Sequence, residues 1–179
     1  TQQEFIDELD RLRFDLRGEP LLLTIAAAVF IENGRLPERP ASLYHDFVKI
    51  WLQEATQGDR LNNELGGHLS APTIELHIDR LAHLALRMTQ EPASTSLEKL
   101  SGFVAEVLPE YAGPDDRRSQ AFGEHFVQVM AQRSGVFIER RGVYDFIHPT
   151  FREYLAAYDV VHKCKFDPKC VWDRAVCQW

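Results

Sequence analysis

The sequence lacks the phosphate-binding motif G-x-x-x-x-G-K-[ST], and it lacks a strand ending in the acidic residues that hold a catalytic Mg²⁺ ion. It also contains neither G-x-S-x-G nor H-E-x-x-H, the motifs of a serine nucleophile and of a zinc hydrolase. These absences exclude the usual catalytic machinery of a self-contained ATPase, esterase or metalloprotease. We therefore predict that this segment has no catalytic residue and is not itself an enzyme.

Cysteine is scarce, and its three copies, Cys164, Cys170 and Cys177, lie close to the end of the chain. An odd number confined to one end does not indicate a disulfide framework, so we expect reduced thiols. His162 could act as a fourth zinc ligand, but the sequence has no C-x2-C or C-x4-C unit there. We predict no metal site.

Long hydrophobic runs are also missing. Residues 21–31 are nearly all apolar, but Glu32 follows at once, and a membrane-spanning helix needs about 20 apolar residues. The run predicts a buried helix rather than a membrane span. With no visible signal peptide, the sequence predicts a cytoplasmic protein. The formal charge of −7 gives no broad basic surface for nucleic acid.

What is present is an ordinary globular composition, with 179 residues, 45% of them hydrophobic and 26% charged. Apolar residues at helical spacing predict a helix over residues 2–16, a largely buried helix over 20–33, and a third helix that buries Leu43, Phe47, Ile50 and Trp51. Glycine-rich residues 56–67 predict a loop and a subdomain boundary. We place a helical subdomain at residues 1–60.

The next part predicts three helices followed by a hairpin. The helices begin near Ser70 and Pro72, at Ser96, and near Asp115 and Asp116. Two β-rich runs around Arg141-Gly142 predict the hairpin, and a further helix runs from Pro149 to about His162. This order is typical of a winged helix, which we place at residues 61–162. His77 and His83 are interpreted as surface or boundary residues. Trp172, Val176 and Trp179 predict the first helix of another helical domain at residues 163–179.

One histidine stands at the junction between the second strand and the last helix. His148 precedes Pro149, which suits the first turn of a helix. Helix starts present unpaired backbone N–H groups, and histidine adds a side-chain donor, so the junction suits an anion such as phosphate. The alternative is that His148 only caps its own helix or fills a polar gap in the core.

Two blocks of sequence resemble the NACHT-type switches of the STAND class of signalling ATPases. One is Phe146-x-His148-x-Thr150-Phe151-x-Glu153-Tyr154-Leu155-Ala156-Ala157, which resembles their winged-helix signature. The other is Gly18-Glu19-Pro20-Leu21-Leu22-Leu23-Thr24-Ile25-Ala26, followed by residues 34–39 and 43–44, which resembles the helical segment after their ATPase core. The blocks stand in the order and separation of that family.

The resemblance implies a nucleotide site. Pro20 would pack against adenine and His148 would reach the β-phosphate of ADP. Gly18, Phe146, Thr150, Phe151 and Glu153 would support these two residues. ADP or ATP would bind only together with an ATPase core that this chain lacks, and Mg²⁺ would belong to that core. We expect Pro20 and His148 to face one shared cavity.

The implied function is regulatory: the segment holds an ADP-bound closed state and opens on exchange for ATP, which permits homo-oligomerisation. Its partners would be an ATPase core before residue 1 and a sensor domain after residue 179, since both ends of the chain suggest a segment of a longer protein. Bacterial relatives are linked to signalling and defence. Two alternatives remain: a winged-helix DNA-binding regulator, which the balanced charges of residues 115–133 disfavour, and a helical protein-interaction adaptor.

Overall fold

A computed structural model describes residues 2–12, 18–56, 74–91, 95–107, 116–165 and 167–172. The chain forms two compact units, Thr1–Glu54 and Ala55–Trp179. Several predictions lie outside the described residues: the loop after residue 56, the helix start at Ser70 and Pro72, Asp115, and the helix at Val176 and Trp179. The predicted domain boundaries remain predictions.

The first unit is helical. It contains α1 (Gln2–Arg11), α2 (Pro20–Asn33) and most of α3 (Pro40–Thr56). Pro20 occupies the first turn of α2, and Gly34 ends that helix in the left-handed region, with φ +71° and its N–H donating to the carbonyl of Phe30. Glycine adopts this conformation without steric cost, which explains why the helix ends there.

Helix α2 is less buried than its sequence predicts. Only Ile25, Ala26 and Val29 are buried, and Ile31 is 81% exposed. An apolar run without helical periodicity does not reveal which side faces the core. Leu43, Phe47 and Ile50 of α3 are buried as predicted, and Trp51 is half-buried. Helix α1 ends at Arg11, before the predicted end, and residues 13–17 are not described.

The second unit follows winged-helix order. Three helices, α4 (Ile74–Gln90), α5 (Leu97–Ala105) and α6 (Asp116–Arg133), precede an antiparallel hairpin of β1 (Phe137–Arg140) and β2 (Val143–Phe146). Helix α7 (Pro149–Lys163) follows the hairpin and packs on α4, while α5 packs on α6. The predicted fold class, a mainly helical protein with one short hairpin, is confirmed.

The hairpin, which forms the wing, turns at Arg141 and Gly142, whose φ angles are +57° and +80°. Two positive φ angles in a two-residue loop match the twist of antiparallel strands. The register pairs Phe137 with Phe146, and their rings meet edge to face at 5.1 Å. This aromatic pair lies in the core and fixes where β2 ends, one residue before the junction with α7.

The interpretation of His77 and His83 as surface or boundary residues is wrong, because both are buried. His77 is fully buried and His83 is 8% exposed. Helix α4 carries ten buried residues because α5 and α7 pack against it, so positions outside its apolar stripe are also enclosed. The buried side of α7 is formed by Phe151, Leu155, Ala156, Asp159 and Val160.

The expectation that all thiols are reduced is also wrong for two of the three cysteines. Cys164 and Cys170 form a disulfide, with their Cα atoms 5.5 Å apart. The chain folds back after α7 and continues into a short helix at residues 168–172, α8, which brings Cys170 opposite Cys164. Sequence spacing alone does not reveal this reversal, since it depends on the turn between the two helices.

Candidate functional site

The junction between β2 and α7 is fixed on both sides of His148. On the strand side, the N–H of Ile147 donates to the carbonyl of Val136 at 2.8 Å, which extends the pairing of the hairpin by one residue. His148 itself is extended, with φ −145° and ψ 142°, and Pro149 begins the helix. The extended conformation is what a residue before proline prefers. Local sequence therefore dictates the direction in which the imidazole leaves the backbone.

The ring of His148 caps its own helix. Its Nδ1 atom accepts a hydrogen bond from the N–H of Thr150 at 3.3 Å and lies 2.9 Å from the Thr150 hydroxyl oxygen. An imidazole nitrogen that accepts a backbone N–H carries no proton, so the neutral ring holds its proton on Nε2. The residue is exposed. His148 therefore presents an N–H donor to the surroundings while its other nitrogen holds the helix start.

This geometry changes the expected anion site. The sequence predicted unpaired backbone N–H groups at the start of α7, but the Thr150 N–H points at the imidazole and the Phe151 N–H donates to the His148 carbonyl at 3.1 Å. Pro149 has no N–H. The backbone donors of these residues are thus satisfied within the helix. What remains for an anion at this point is the Nε2–H group of the ring.

The residues around His148 hold it in place. Phe146 and Phe151 are 5% and 1% exposed, and both belong to the core beneath the junction. Thr150 is half-buried and contacts the imidazole directly, as described above. Glu153 is exposed on α7. Four of the predicted site residues, His148, Phe146, Thr150 and Phe151, thus meet at one junction.

Sequence reasoning missed an ion pair beside this junction. Asp145 on β2 and Arg152 on α7 approach to 3.5 Å, which links the last strand to the first turns of the helix. Both side chains are partly exposed, so the pair contributes about 0–1 kcal/mol to stability, and its main effect is on orientation. Opposite charges separated by seven residues across a strand–helix junction were the available signal.

Pro20 and Gly18 lie in the first unit. Pro20 is exposed at the start of α2, where its carbonyl accepts a hydrogen bond from the Thr24 hydroxyl at 3.0 Å. Gly18 has open space around it among the described residues, so no steric contact found there requires glycine. Pro20 and His148 belong to different units, and their shared cavity remains a prediction.

Residues 40–160 match the family described as "Winged helix-turn-helix domain C-terminal to NACHT". The chain belongs to this family. No curated protein and no solved structure matches the chain. The matched NACHT-associated domain is not a catalytic family. A NACHT context implies nucleotide binding by the parent protein and an ATPase within the same polypeptide.

The NACHT-associated winged helix contains a second cluster of charged residues, at the contact of α4, α5 and α7. His83 Nδ1 lies 2.8 Å from Lys163 Nζ, and His83 Nε2 lies 3.1 Å from Glu106 Oε2. Lys163 is also within 2.7 Å of Asp159, which is 5% exposed. Because lysine can only donate, the neutral ring accepts at Nδ1 and donates from Nε2 to Glu106.

The carboxylate of Asp159 stays ionised within this cluster. Burial opposes its ionisation, but the hydrogen bond and the positive charge of Lys163, together with the nearby imidazole of His83, outweigh that effect and hold the pKa of Asp159 below its usual range. Each charge therefore has a partner, and the cluster joins three helices of the NACHT-associated winged helix.

Among the described residues, no group of histidine, cysteine and carboxylate side chains is suited to hold a metal ion. Within the same residues, no helix is long and apolar enough to cross a membrane.

Proposed function

We propose that this chain is the regulatory, nucleotide-sensing segment of a STAND ATPase. Its helical subdomain and winged helix would hold the closed state when ADP is bound and would open on exchange for ATP, which permits homo-oligomerisation. The proposal rests on membership of the NACHT-associated winged-helix family together with one observation at the junction of β2 and α7. His148 keeps its helix capped through Nδ1 and presents Nε2–H outward.

His148 has the chemistry that a contact to a phosphate oxygen requires. A neutral imidazole donates one hydrogen bond, and a protonated ring adds charge attraction. The donor sits on a rigid base, since Phe146 and Phe151 are buried and the Thr150 contacts fix the ring. A preorganised donor loses less freedom on binding than a mobile side chain does. ADP would supply the anionic oxygens, in a site completed by the ATPase core.

Pro20 would supply a second contact. Its ring is exposed at the start of α2, where proline fixes the backbone and offers a rigid apolar face. Such a face suits the flat surface of adenine. Contacts of this segment with both ends of one nucleotide would make closure dependent on which nucleotide is bound. The population of the closed state would then follow the difference in affinity between the two states.

The test is ADP retention by the full protein, with two substitutions at one position. His148→Ala removes the donor and the helix cap. His148→Asn keeps an oxygen that caps the helix, but its amide donor is bonded directly to Cγ and lies short of the position of Nε2. We expect both variants to release ADP about 10- to 100-fold faster, because a hydrogen bond to a charged group contributes about 1.5–3 kcal/mol. Basal signalling should rise in both.

The matched control is His162→Ala, which removes an exposed histidine from the other end of the same helix. It should leave ADP release unchanged. Stopped-flow release of a fluorescent ADP analogue measures all three variants, and thermal unfolding reports the separate effect of the lost cap. Wild-type release rates in both His148 variants would disprove the role proposed for the Nε2 donor.

A further inference from the structure

We propose that Cys164 and Cys170 form a reversible disulfide, a redox modification site that fixes the direction in which the chain leaves the winged helix. The two cysteines lie on either side of a sharp reversal. Cys164 is the first residue after α7, and its N–H donates to the carbonyl of Val160 at 3.1 Å. Cys170 lies in α8 and closes a loop in which the bonded residues are six positions apart.

The reversal is built by backbone interactions as well as by the disulfide. Lys165 adopts a left-handed conformation, with φ +49°, and its N–H donates to the His162 carbonyl at 3.0 Å. The N–H of Asp167 donates to the Cys164 carbonyl at 2.9 Å, and its side chain accepts from the N–H of Lys169 at 3.2 Å. Asp167 thus caps α8. These contacts position the two sulfur atoms for pairing, so the bond can form again after reduction.

The short loop argues for a local role. The stabilisation that a disulfide gives by restricting the unfolded chain grows with the length of the loop it closes, and this loop is short. The bond also joins neighbouring elements rather than distant parts of the fold. Its main effect is therefore on the geometry of the turn, which determines how the segment after α7 is oriented.

The surroundings of the bond suit attack by a thiolate. Cys164 is 5% exposed, whereas Cys170 is half-buried and is the more exposed of the two residues. Lys165 and Lys169 are exposed nearby and carry positive charge. Positive charge favours the approach of an anionic thiolate, which is the nucleophile in disulfide exchange.

The reaction balances with a small thiol of the glutathione class as reductant. Its thiolate attacks the sulfur of Cys170, forms a mixed disulfide there and releases Cys164 as a thiolate. A second thiolate attacks the sulfur of the reductant in the mixed disulfide and releases Cys170 as a thiolate. Two reductant thiols thereby supply two electrons and become one oxidised disulfide, and protons from solvent complete the two protein thiols.

The end of α7 connects this turn to the rest of the domain. Lys163 precedes Cys164 and contacts both Asp159, at 2.7 Å, and His83 on α4, at 2.8 Å. Reduction removes the covalent restraint on Cys164, which is the residue next to Lys163. Reduction should therefore loosen the last turn of α7 as well as α8, while the wing and the junction at His148 stay unchanged.

Thiol labelling of the full protein in graded glutathione buffers tests the pairing. With three cysteines in this segment, oxidised protein should label only Cys177 and reduced protein all three. Cys177→Ser should keep the disulfide, and Cys164→Ser and Cys170→Ser should each abolish it. Peptide mapping that finds Cys177 paired with Cys170, or full labelling of Cys164 and Cys170 in the most oxidising buffer, would overturn the assignment.

Hydrogen exchange on the same samples tests the mechanical role. Reduction should cause a loss of amide protection across residues 160–172 in the wild type and in Cys177→Ser. Cys164→Ser should lack protection there in both buffers and should show no response to reduction. Equal protection of this region in oxidised and reduced wild-type protein would overturn the proposal that the disulfide fixes the exit of the chain. Neither readout depends on nucleotide, so the result is independent of the role proposed for His148.

Discussion

At the scale of single residues, one glycine sets the distance between α5 and α6. A Cβ atom on Gly123 would lie 2.3 Å from the carbonyl oxygen of Ser101 and 2.9 Å from its Cα atom. Real Cβ atoms do not approach backbone atoms this closely, and neither helix can move without disturbing its other contacts. Gly123→Ala should therefore destabilise the protein by about 1–3 kcal/mol through overpacking, as measured by urea unfolding.

Gly102 provides the matched control for this substitution. It also lies within a helix, one residue after Ser101, but an added Cβ atom meets open space among the described residues. Gly102→Ala should stabilise the protein by about 0.5–1 kcal/mol, because alanine favours the helix and restricts the unfolded chain. If the two variants shifted the urea midpoint in the same direction, the close approach of the two helices would be refuted.

The residues of the candidate site show how far sequence reasoning reaches. Motif and helix-start chemistry located His148, and the resemblance to NACHT-type switches indicated Phe146 and Phe151 as residues that support it. The capping role of Nδ1 was one of two alternatives, and only coordinates reveal which ring nitrogen faces the helix. The Asp145–Arg152 pair was missed because its two residues are seven positions apart and meet only through the change of direction at the junction.

At the scale of elements, the described helices and the hairpin were predictable, whereas burial was predictable only in part. Hairpin and helices follow from periodicity and from glycine and proline signals, which act locally. Burial depends on how many neighbours surround a helix. Helix α4 is enclosed at ten positions, which buries His77 although the residue lies outside any simple apolar stripe. In α2, an apolar sequence leaves Ile31 exposed.

The buried His77 makes the stability of α4 dependent on pH. Both of its ring nitrogens lack a hydrogen-bond partner among the described residues, and Phe126 stacks on the ring at 6.0 Å. Burial, aided by the positive charge of Arg80, lowers the pKa of His77 to about 4 from 6.5. In the unfolded chain, His77 therefore binds a proton below pH 6.5, whereas in the folded chain it binds one only below about pH 4.

The sign of the effect follows from this depressed pKa. The contribution of His77 to stability is fully present above pH 6.5 and declines as the pH falls toward 4, by about 3 kcal/mol in total. His77→Leu should remove this part of the pH dependence and should be more stable than wild type at pH 5. Urea unfolding at several pH values measures the difference. An unchanged slope in His77→Leu would contradict the burial of a neutral ring.

At the scale of the whole molecule, the proposed switch requires two compact units to act on one nucleotide. Pro20 belongs to the first unit and His148 to the second. In this proposal the nucleotide would lie between the segment and the ATPase core, so both units would contact the nucleotide directly. The sequence therefore indicates the two residues. Their joint contact with one nucleotide is a property of the assembled protein and is measured there.

A double-mutant cycle on ADP release by the full protein measures the separate and joint effects of Pro20 and His148. Pro20→Ala and His148→Asn should each accelerate release, because one removes an apolar face and the other a hydrogen-bond donor. Since adenine and phosphate lie at opposite ends of the nucleotide, the two effects should add within about 0.5 kcal/mol. Pro40 begins α3 as Pro20 begins α2, so Pro40→Ala controls for a general loss of rigidity at a helix start. This variant should leave ADP release unchanged. Suppose that Pro20→Ala releases ADP at the same rate as Pro40→Ala, and that the double variant releases it at the same rate as His148→Asn. The first unit then does not contact the nucleotide. The switch would in that case operate through the winged helix alone.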